Sequence, residues 1–329
     1  MNSENIHLVK AAFHAQFKTA MELCGVSSEY YFRQVNLPFK VSDPEAMLPL
    51  KPFFHLINRV AIDENMPGFG CFVAQSTPWH KVLSLGPLIA NCKNLKELLE
   101  KFCEIASSQS SLVKFSLVNA SSHFDFCYTD IPIYKGDIQM ELYRITSMIQ
   151  LVQLATGAQW SPANIRLIIP RTAAVHSCPL LTNSKISFSQ PDSAISIAAG
   201  VLRLPVHLEI PKGNTRQRKN SATIDTDFAV SIRQIINTYT QTQLISIEDV
   251  ARISDMSVRT LQRRLKKHGM KFTDLVNQAK FAHAKSMLRN KQMPIKEIAA
   301  SLGYSESAHF TRAFRRWSGL SPKKFRSNL

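Results

Sequence analysis

The sequence predicts an N-terminal mixed α/β (α+β) domain followed by an all-α domain built from two helix-turn-helix units joined by a long helix. Three observations carry this. The chain has 329 residues, and at roughly 100–200 residues per domain that suits two domains. Its charge is divided unevenly: residues 1–210 hold 17 Lys/Arg against 16 Asp/Glu, whereas residues 211–329 hold 23 against 8. The basic part also repeats itself at an offset of 48 to 50 residues. Apolar residues make up 45% of the chain, enough to form a sizeable core, which excludes wholesale disorder.

In the first part, Leu95–Phe102 opens an amphipathic helix, with Asn94 as its cap and Glu97 in capping-box position. Lys114–Tyr128 reads strand–turn–strand around Asn119-Ala120-Ser121-Ser122, with Phe124, Phe126 and Tyr128 alternating. A core helix follows from about Asp137 to Ala155. Ile165–Ile169 is a short strand ending at Pro170, and Ile186–Ile197 forms two strands around Gln190-Pro191-Asp192. Phe13, Phe53, Phe54, Phe69 and Phe72 are expected in the core, with room for an apolar pocket.

The six cysteines, Cys24, Cys71, Cys92, Cys103, Cys127 and Cys178, form no C-x-x-C pair and read as small buried hydrophobes. The histidines show no metal-ligand spacing, so neither a metal nor a cofactor is expected. No targeting segment opens the chain, and no run reaches the ~18 apolar residues that a membrane span needs. The expected location is cytoplasmic, with no membrane partner.

Pro211–Ser221 (PKGNTRQRKNS) is polar and basic and reads as a tether within a linker over 206–224. The domains are therefore 1–205 and 225–329. Within the latter, Ile247/Ile295, Ala251/Ala299 and Ser257/Ser305 match at an offset of 48. Leu261/Phe310, Arg263/Arg312 and Leu265/Phe314 match at 49, and Gly269/Gly319 at 50. Each copy reads as helix, tight turn, helix. Ser246 caps the first helix of the first copy, and Pro294 suits the first helical position of the second. Ala251 and Ala299 allow close helix crossing. Gly303 and Asp255 mark the turns, both being residue types that tolerate positive φ. Ser257 and Ser305 cap the second helices.

At 100° per residue, Val258, Leu261 and Leu265 form one stripe of the second helix, and Arg259, Gln262, Arg263 and Lys266 the opposite face. In the second copy Phe310, Ala313, Phe314 and Trp317 form the apolar stripe. Ala308, Thr311, Arg312 and Arg315 face away, with His309 and Arg316 on the flank. Two such helices, each following a turn, point to double-stranded DNA: a second helix of this kind enters the major groove, where Arg pairs with guanine and Gln with adenine.

The segment Ile298–Arg326, with Gly303-Tyr304, Phe310, Phe314 and Gly319-Leu320-Ser321-Pro322, resembles the C-terminal signature of the AraC/XylS family of bacterial transcription regulators. The resemblance covers about Asp227 to Leu329. It implies a first unit at about 246–269, a joining helix at about 273–288 and a second unit at about 294–319. By resemblance, Arg259, Gln262 and Arg263 would reach bases from the first unit, and Ser307, Ala308, His309 and Arg312 from the second. Ala308 has no hydrogen-bonding side chain but could pack on a thymine methyl. Lys266, Thr311, Arg315, Arg316, Lys323 and Lys324 would contact phosphates. Residues 1–205, through Ile186–Pro191 and Leu202–Pro205, resemble the arabinose-binding-type (non-cupin) sensor of one branch of this family. That implies an effector of unstated identity, homodimerisation through this domain, and contact with RNA polymerase.

Two other functions compete. An enzyme or repair domain fused to a DNA-binding domain finds no support from G-x-S-x-G, P-loop or zinc-ligand patterns. A charge-only nucleoid or membrane-surface binder needs neither repeated units nor apolar stripes within them.

Overall fold

The computed structural model describes residues 6–79, 92–111, 113–129, 137–206, 224, 227–241 and 245–329. The linker expected at 206–224 falls mostly outside the described residues. The N-terminal part begins with a two-stranded antiparallel ribbon, β1 (Leu8–Lys10) with β2 (Met47–Pro49). Helices α1 (Ala11–Leu23) and α2 (Ser28–Gln34) lie between these strands in sequence, and α3 (Lys51–Asp63) and α4 (Phe69–Ser76) follow. Next come α5 (Leu95–Ala106), β3 (Lys114–Asn119), β4 (His123–Thr129), α6 (Ile138–Thr156), β5 (Asn164–Arg166), β6 (Lys185–Ser187) and β7 (Ser193–Ala198).

Asn94 caps α5 by accepting the Glu97 amide at 3.0 Å. Glu97 itself accepts from the Lys93 amide, one residue before the cap, so the reciprocal half of the expected capping box is displaced by one residue. Helix α6 is the core helix that the sequence announced, capped by Asp137 accepting the Met140 amide at 2.9 Å. It is enclosed on most faces, so even Glu141 is buried. That carboxylate accepts from the hydroxyls of Tyr128 and Ser193 and, at 3.4 Å, from the Ile168 amide, which offsets the cost of burying it.

Strands β3 and β4 pair as a hairpin in the expected place, with Asn119 opposite Phe124. The five-stranded sheet runs β3-β4-β7-β5-β6, and only β5 and β6 are parallel. The two strands read around Gln190-Pro191-Asp192 exist but do not pair with each other, because β5 lies between them. The strand expected over Ile165–Ile169 is corrected to Asn164–Arg166. Beyond it the Leu167 and Ser189 amides still donate across, to Ser187 O and Ile169 O, but the regular ladder has ended.

One expectation about the cysteines is corrected. Cys71 and Cys178, 107 residues apart, are joined in a disulfide with Cα atoms 5.7 Å apart. Spacing could not reveal this, because the pairing is made by the packing of α4 against the turn at 178. Cys24, Cys92, Cys103 and Cys127 are free. Burial pushes the Cys103 thiol up to about 12.

His14 on α1 is 4% exposed, packs on the Phe32 ring at 4.4 Å and bonds through Nε2 to Pro38 O at 2.7 Å. Burial, against the Pro38 bond and with help from Lys18, lowers its pKa from 6.5 to about 4. The folded state therefore holds the neutral ring where the unfolded chain would take a proton. Stability is fully present above pH 6.5 and declines as pH falls from 6.5 to 4, by about 3 kcal/mol over that window. Chemical denaturation at pH 7 and pH 4.5 checks this, with His14→Phe expected to flatten the decline.

The C-terminal part holds α7 (Phe228–Thr240), α8 (Ile247–Ile253), α9 (Val258–Lys267), α10 (Phe272–Leu288), α11 (Ile295–Ser301), α12 (Ser307–Ser318) and α13 (Pro322–Ser327). The buried apolar cluster of the N-terminal part continues through α7, α8, α9 and the start of α10. A second cluster, with Ala284, Leu288, Ile298, Phe310 and Phe314, is separate and holds α11 and α12 onto the end of α10.

Candidate nucleic-acid interface

The first unit is α8, a turn and α9. Ser246 and Asp249 form a reciprocal capping box: the Asp249 amide donates to Ser246 Oγ and the Ser246 amide donates to the Asp249 carboxylate, both at 3.1 Å. Asp255 takes φ 57° in the turn, as its residue type suggested. Ser257 then caps α9 by accepting the Thr260 amide at 3.1 Å. Val250, Ala251, Leu261 and Leu265 are buried where the two helices meet. Arg259, Gln262, Arg263 and Lys266 are exposed along the opposite side of α9.

The second unit is α11, a turn and α12. Gly303 takes φ 77°, and Ala299, Phe310, Ala313 and Phe314 are buried. Rings cluster around Phe314, with Phe281 of α10 at 5.4 Å and Phe325 of α13 at 5.3 Å between centroids. Two local expectations are corrected. Pro294 is the N-cap of α11 rather than its first helical residue, with φ −61° and extended ψ. Ser305 does not cap α12, which starts at Ser307 with Glu306 as its N-cap and no side-chain cap bond. The cause is one extra residue in this turn. It is the same step that moves the repeat offset from 48 to 49.

The joining helix is α10, starting at Phe272, one residue before its expected Thr273. Ser307, Ala308, His309, Arg312, Arg315 and Arg316 are exposed on α12, and Thr311 is half-buried, its hydroxyl donating to Ser307 O at 2.8 Å. His309 Nε2 lies 3.8 Å from the Glu306 carboxylate. Lys323 and Lys324 are exposed on α13, which Ser321 caps by accepting the Lys324 amide at 3.3 Å.

The electrostatics of these faces are one-sided. Among the described residues, no carboxylate holds Arg259, Arg263, Lys266, Arg312 or Arg315 in an ion pair. Two acids of the first unit are engaged elsewhere: Asp249 pairs with Arg252 at 3.3 Å, and Asp255 pairs with Lys51 at the start of α3, while Glu306 at the N-cap of α12 faces His309. The basic faces are thus left with unneutralised charge, which a polyanion would compensate.

Sequence reasoning missed the contacts that hold the first unit to the N-terminal part. Besides Lys51–Asp255, Arg252 Nη1 donates to Asn36 Oδ1 at 3.0 Å, and on α7, just before the unit, the Tyr239 hydroxyl donates to Asn36 O at 2.9 Å. Asn36 itself has φ 56°. No spacing signal in the sequence joins positions 36 and 51 to positions 252 and 255.

The family model described as the arabinose-binding domain of AraC transcription regulator, N-terminal, matches residues 25–206, and a helix-turn-helix domain model matches residues 250–328. The chain belongs to the AraC family of transcription regulators. It is 23% identical over 335 residues to the regulator VirS of Mycobacterium tuberculosis, covering 97% of this chain and 96% of that one. It is 38% identical over 87 residues to the regulator VqsM of Pseudomonas aeruginosa, a match that spans 26% of this chain and 27% of VqsM. Among solved structures, the transcriptional regulator CdpR of Pseudomonas aeruginosa aligns over 96% of this chain and 98% of its own, at 16% identity and a TM-score of 0.42. This AraC-family protein is a DNA-binding transcription regulator. No helix among its described residues is long and apolar enough to cross a membrane.

Proposed function

We propose that this AraC-family protein reads two successive major grooves of one operator, with α9 in one and α12 in the next. The observation that carries the reading is the pair of exposed basic faces on two helices that each follow a positive-φ turn, with Arg259, Arg263, Lys266, Arg312 and Arg315 held by no carboxylate among the described residues. In this reading Arg259, Gln262 and Arg263 contact bases from α9, and Ser307, Ala308, His309 and Arg312 from α12. Lys266, Thr311, Arg315, Arg316, Lys323 and Lys324 hold phosphates. Residues 1–205 bind a small-molecule effector and form a homodimer, 206–224 is the tether, and 225–329 is the DNA-binding domain. The protein works in the cytoplasm without a metal or other cofactor, and touches RNA polymerase at its promoters.

The test separates base reading from backbone positioning. Arg263→Ala is expected to weaken binding to the correct operator by about 1–3 kcal/mol and to relax preference at one or two base pairs. Lys324→Ala is expected to weaken all sequences alike and to reduce the salt slope by about one. Leu261→Ala is the folding control. It leaves a cavity under α9 and costs about 2–5 kcal/mol of stability. Electrophoretic titrations against a panel of operator variants decide the matter. An unchanged ranking with Arg263→Ala, together with a reordered one for Lys324→Ala, contradicts the assignment.

A further inference from the structure

A cavity of about 60 Å³ lies inside the N-terminal part, walled by Phe13, Trp79, Phe102, Phe115 and Tyr143. These rings brace one another: Trp79 stacks on Phe102 at 5.0 Å, and its Nε1 donates to the Tyr143 hydroxyl at 2.6 Å. The wall is almost wholly apolar, with one polar atom left over. Gln109, 7% exposed, lines the cavity, and its Oε1 is buried without a partner. Its orientation is fixed by its neighbour. The Ser108 hydroxyl gives its proton to Ile105 O at 2.7 Å, so it can only accept from Gln109 Nε2, at 3.1 Å. Oε1 is therefore the end left without a partner, a buried acceptor that calls for a donor.

Charge on the wall does not ask for an anion. The Arg144 guanidinium lies over the rings of Phe54 and Tyr128 and is already engaged by its own neighbours. Size narrows the ligand further. A volume of 60 Å³ is well short of the ~150 Å³ cavity that takes benzene. It suits the end of a chain rather than a ring.

We propose that this cavity binds the end of a slender, uncharged aliphatic molecule bearing one hydrogen-bond donor, an alkyl alcohol in chemical class, with the donor given to Gln109 Oε1. This rests on the reading of residues 1–205 as an effector domain. The position fits that role. Val9 of β1 and Leu50, which follows β2, lie on the cavity wall, and the next residue, Lys51, holds Asp255 of the first helix-turn-helix turn. Lys10 of β1 donates its amide to Gln109 O at 3.0 Å. The ribbon and the Leu50–Lys51 step that leads from it into α3 therefore touch both the cavity and the DNA-binding part.

The test titrates the full chain with 1-hexanol and with 1-methoxypentane, a chain of equal length whose ether oxygen accepts but cannot donate, following tryptophan emission. The alcohol is expected to saturate and to bind about five-fold tighter than the ether, the worth of one neutral hydrogen bond. Gln109→Met is expected to erase that preference, and Ala106→Leu, which fills the cavity, to abolish both responses while leaving the circular dichroism unchanged. Failure of the alcohol to saturate, or an alcohol preference that survives in Gln109→Met, overturns the proposal. Saturable, Gln109-dependent binding that leaves operator affinity unchanged upholds the site and sinks the effector reading instead.

Discussion

Gly70→Ala is expected to cost about 3 kcal/mol or more and to prevent stable folding of the N-terminal part. Gly70 lies on α4, where that helix meets the first turn of α6. A Cβ built there would stand 2.0 Å from Gln139 O and 3.1 Å from Tyr143 N, both backbone atoms inside a buried helix. Neither can move without breaking the bonds at the start of α6. The Gly70 amide also donates to Gln139 Oε1 at 2.9 Å, which holds the helices at this separation. Helix α4 would have to back away, taking with it Phe69, Cys71 and the disulfide to Cys178. Overpacking of a dense interior typically costs 1–3 kcal/mol, and more where backbone is the obstacle. Gly200→Ala is the matched control: its φ is −64° and nothing lies within 4 Å of the added carbon. Urea denaturation should show the first variant strongly weakened and the second within a few tenths of a kcal/mol of the parent.

The second large effect is electrostatic. If the exposed cations of α9, α12 and α13 neutralise about 6–10 phosphates, log K should fall against log salt with a slope of about −5 to −9. Affinity for an operator duplex would drop by about 10³–10⁵ between 50 and 200 mM salt. The size follows from the absence of acid partners at Arg259, Arg263, Lys266, Arg312 and Arg315 among the described residues. Cations already paired within the protein would release fewer counterions from DNA. Fluorescence anisotropy across a salt series measures the slope, and a flat response contradicts a phosphate-binding surface.

The legible parts of the molecule were those set by local rules. Ser246, Asp255, Ser257 and Gly303 announced caps and turns because capping and positive φ are properties of single residues. The stripes of α9 and α12 were legible because helical period alone assigns their faces. The Ser305 cap was misplaced because an inserted residue can fall anywhere within a turn, and only packing locates it. What stayed hidden was non-local. The Cys71–Cys178 bond, the insertion of β5 between β6 and β7, and the Lys51–Asp255 pair join residues far apart in the chain, with no periodic signal to connect them. The aromatic wall around Gln109 is of the same kind: Phe13 was expected in a core with room for an apolar pocket, but nothing in the sequence joined Phe102, Phe115 or Gln109 to it.

The most direct test is whether the protein recognises sequence at all. Duplexes selected from a random library at about 150 mM salt should converge on one operator. They should bind at least about 10³-fold tighter than scrambled DNA of equal length, with protection on one face over two groove segments roughly 34 Å apart. A specific-to-nonspecific ratio near one, or protection confined to a single groove, would contradict a regulator that reads its site with two helix-turn-helix units.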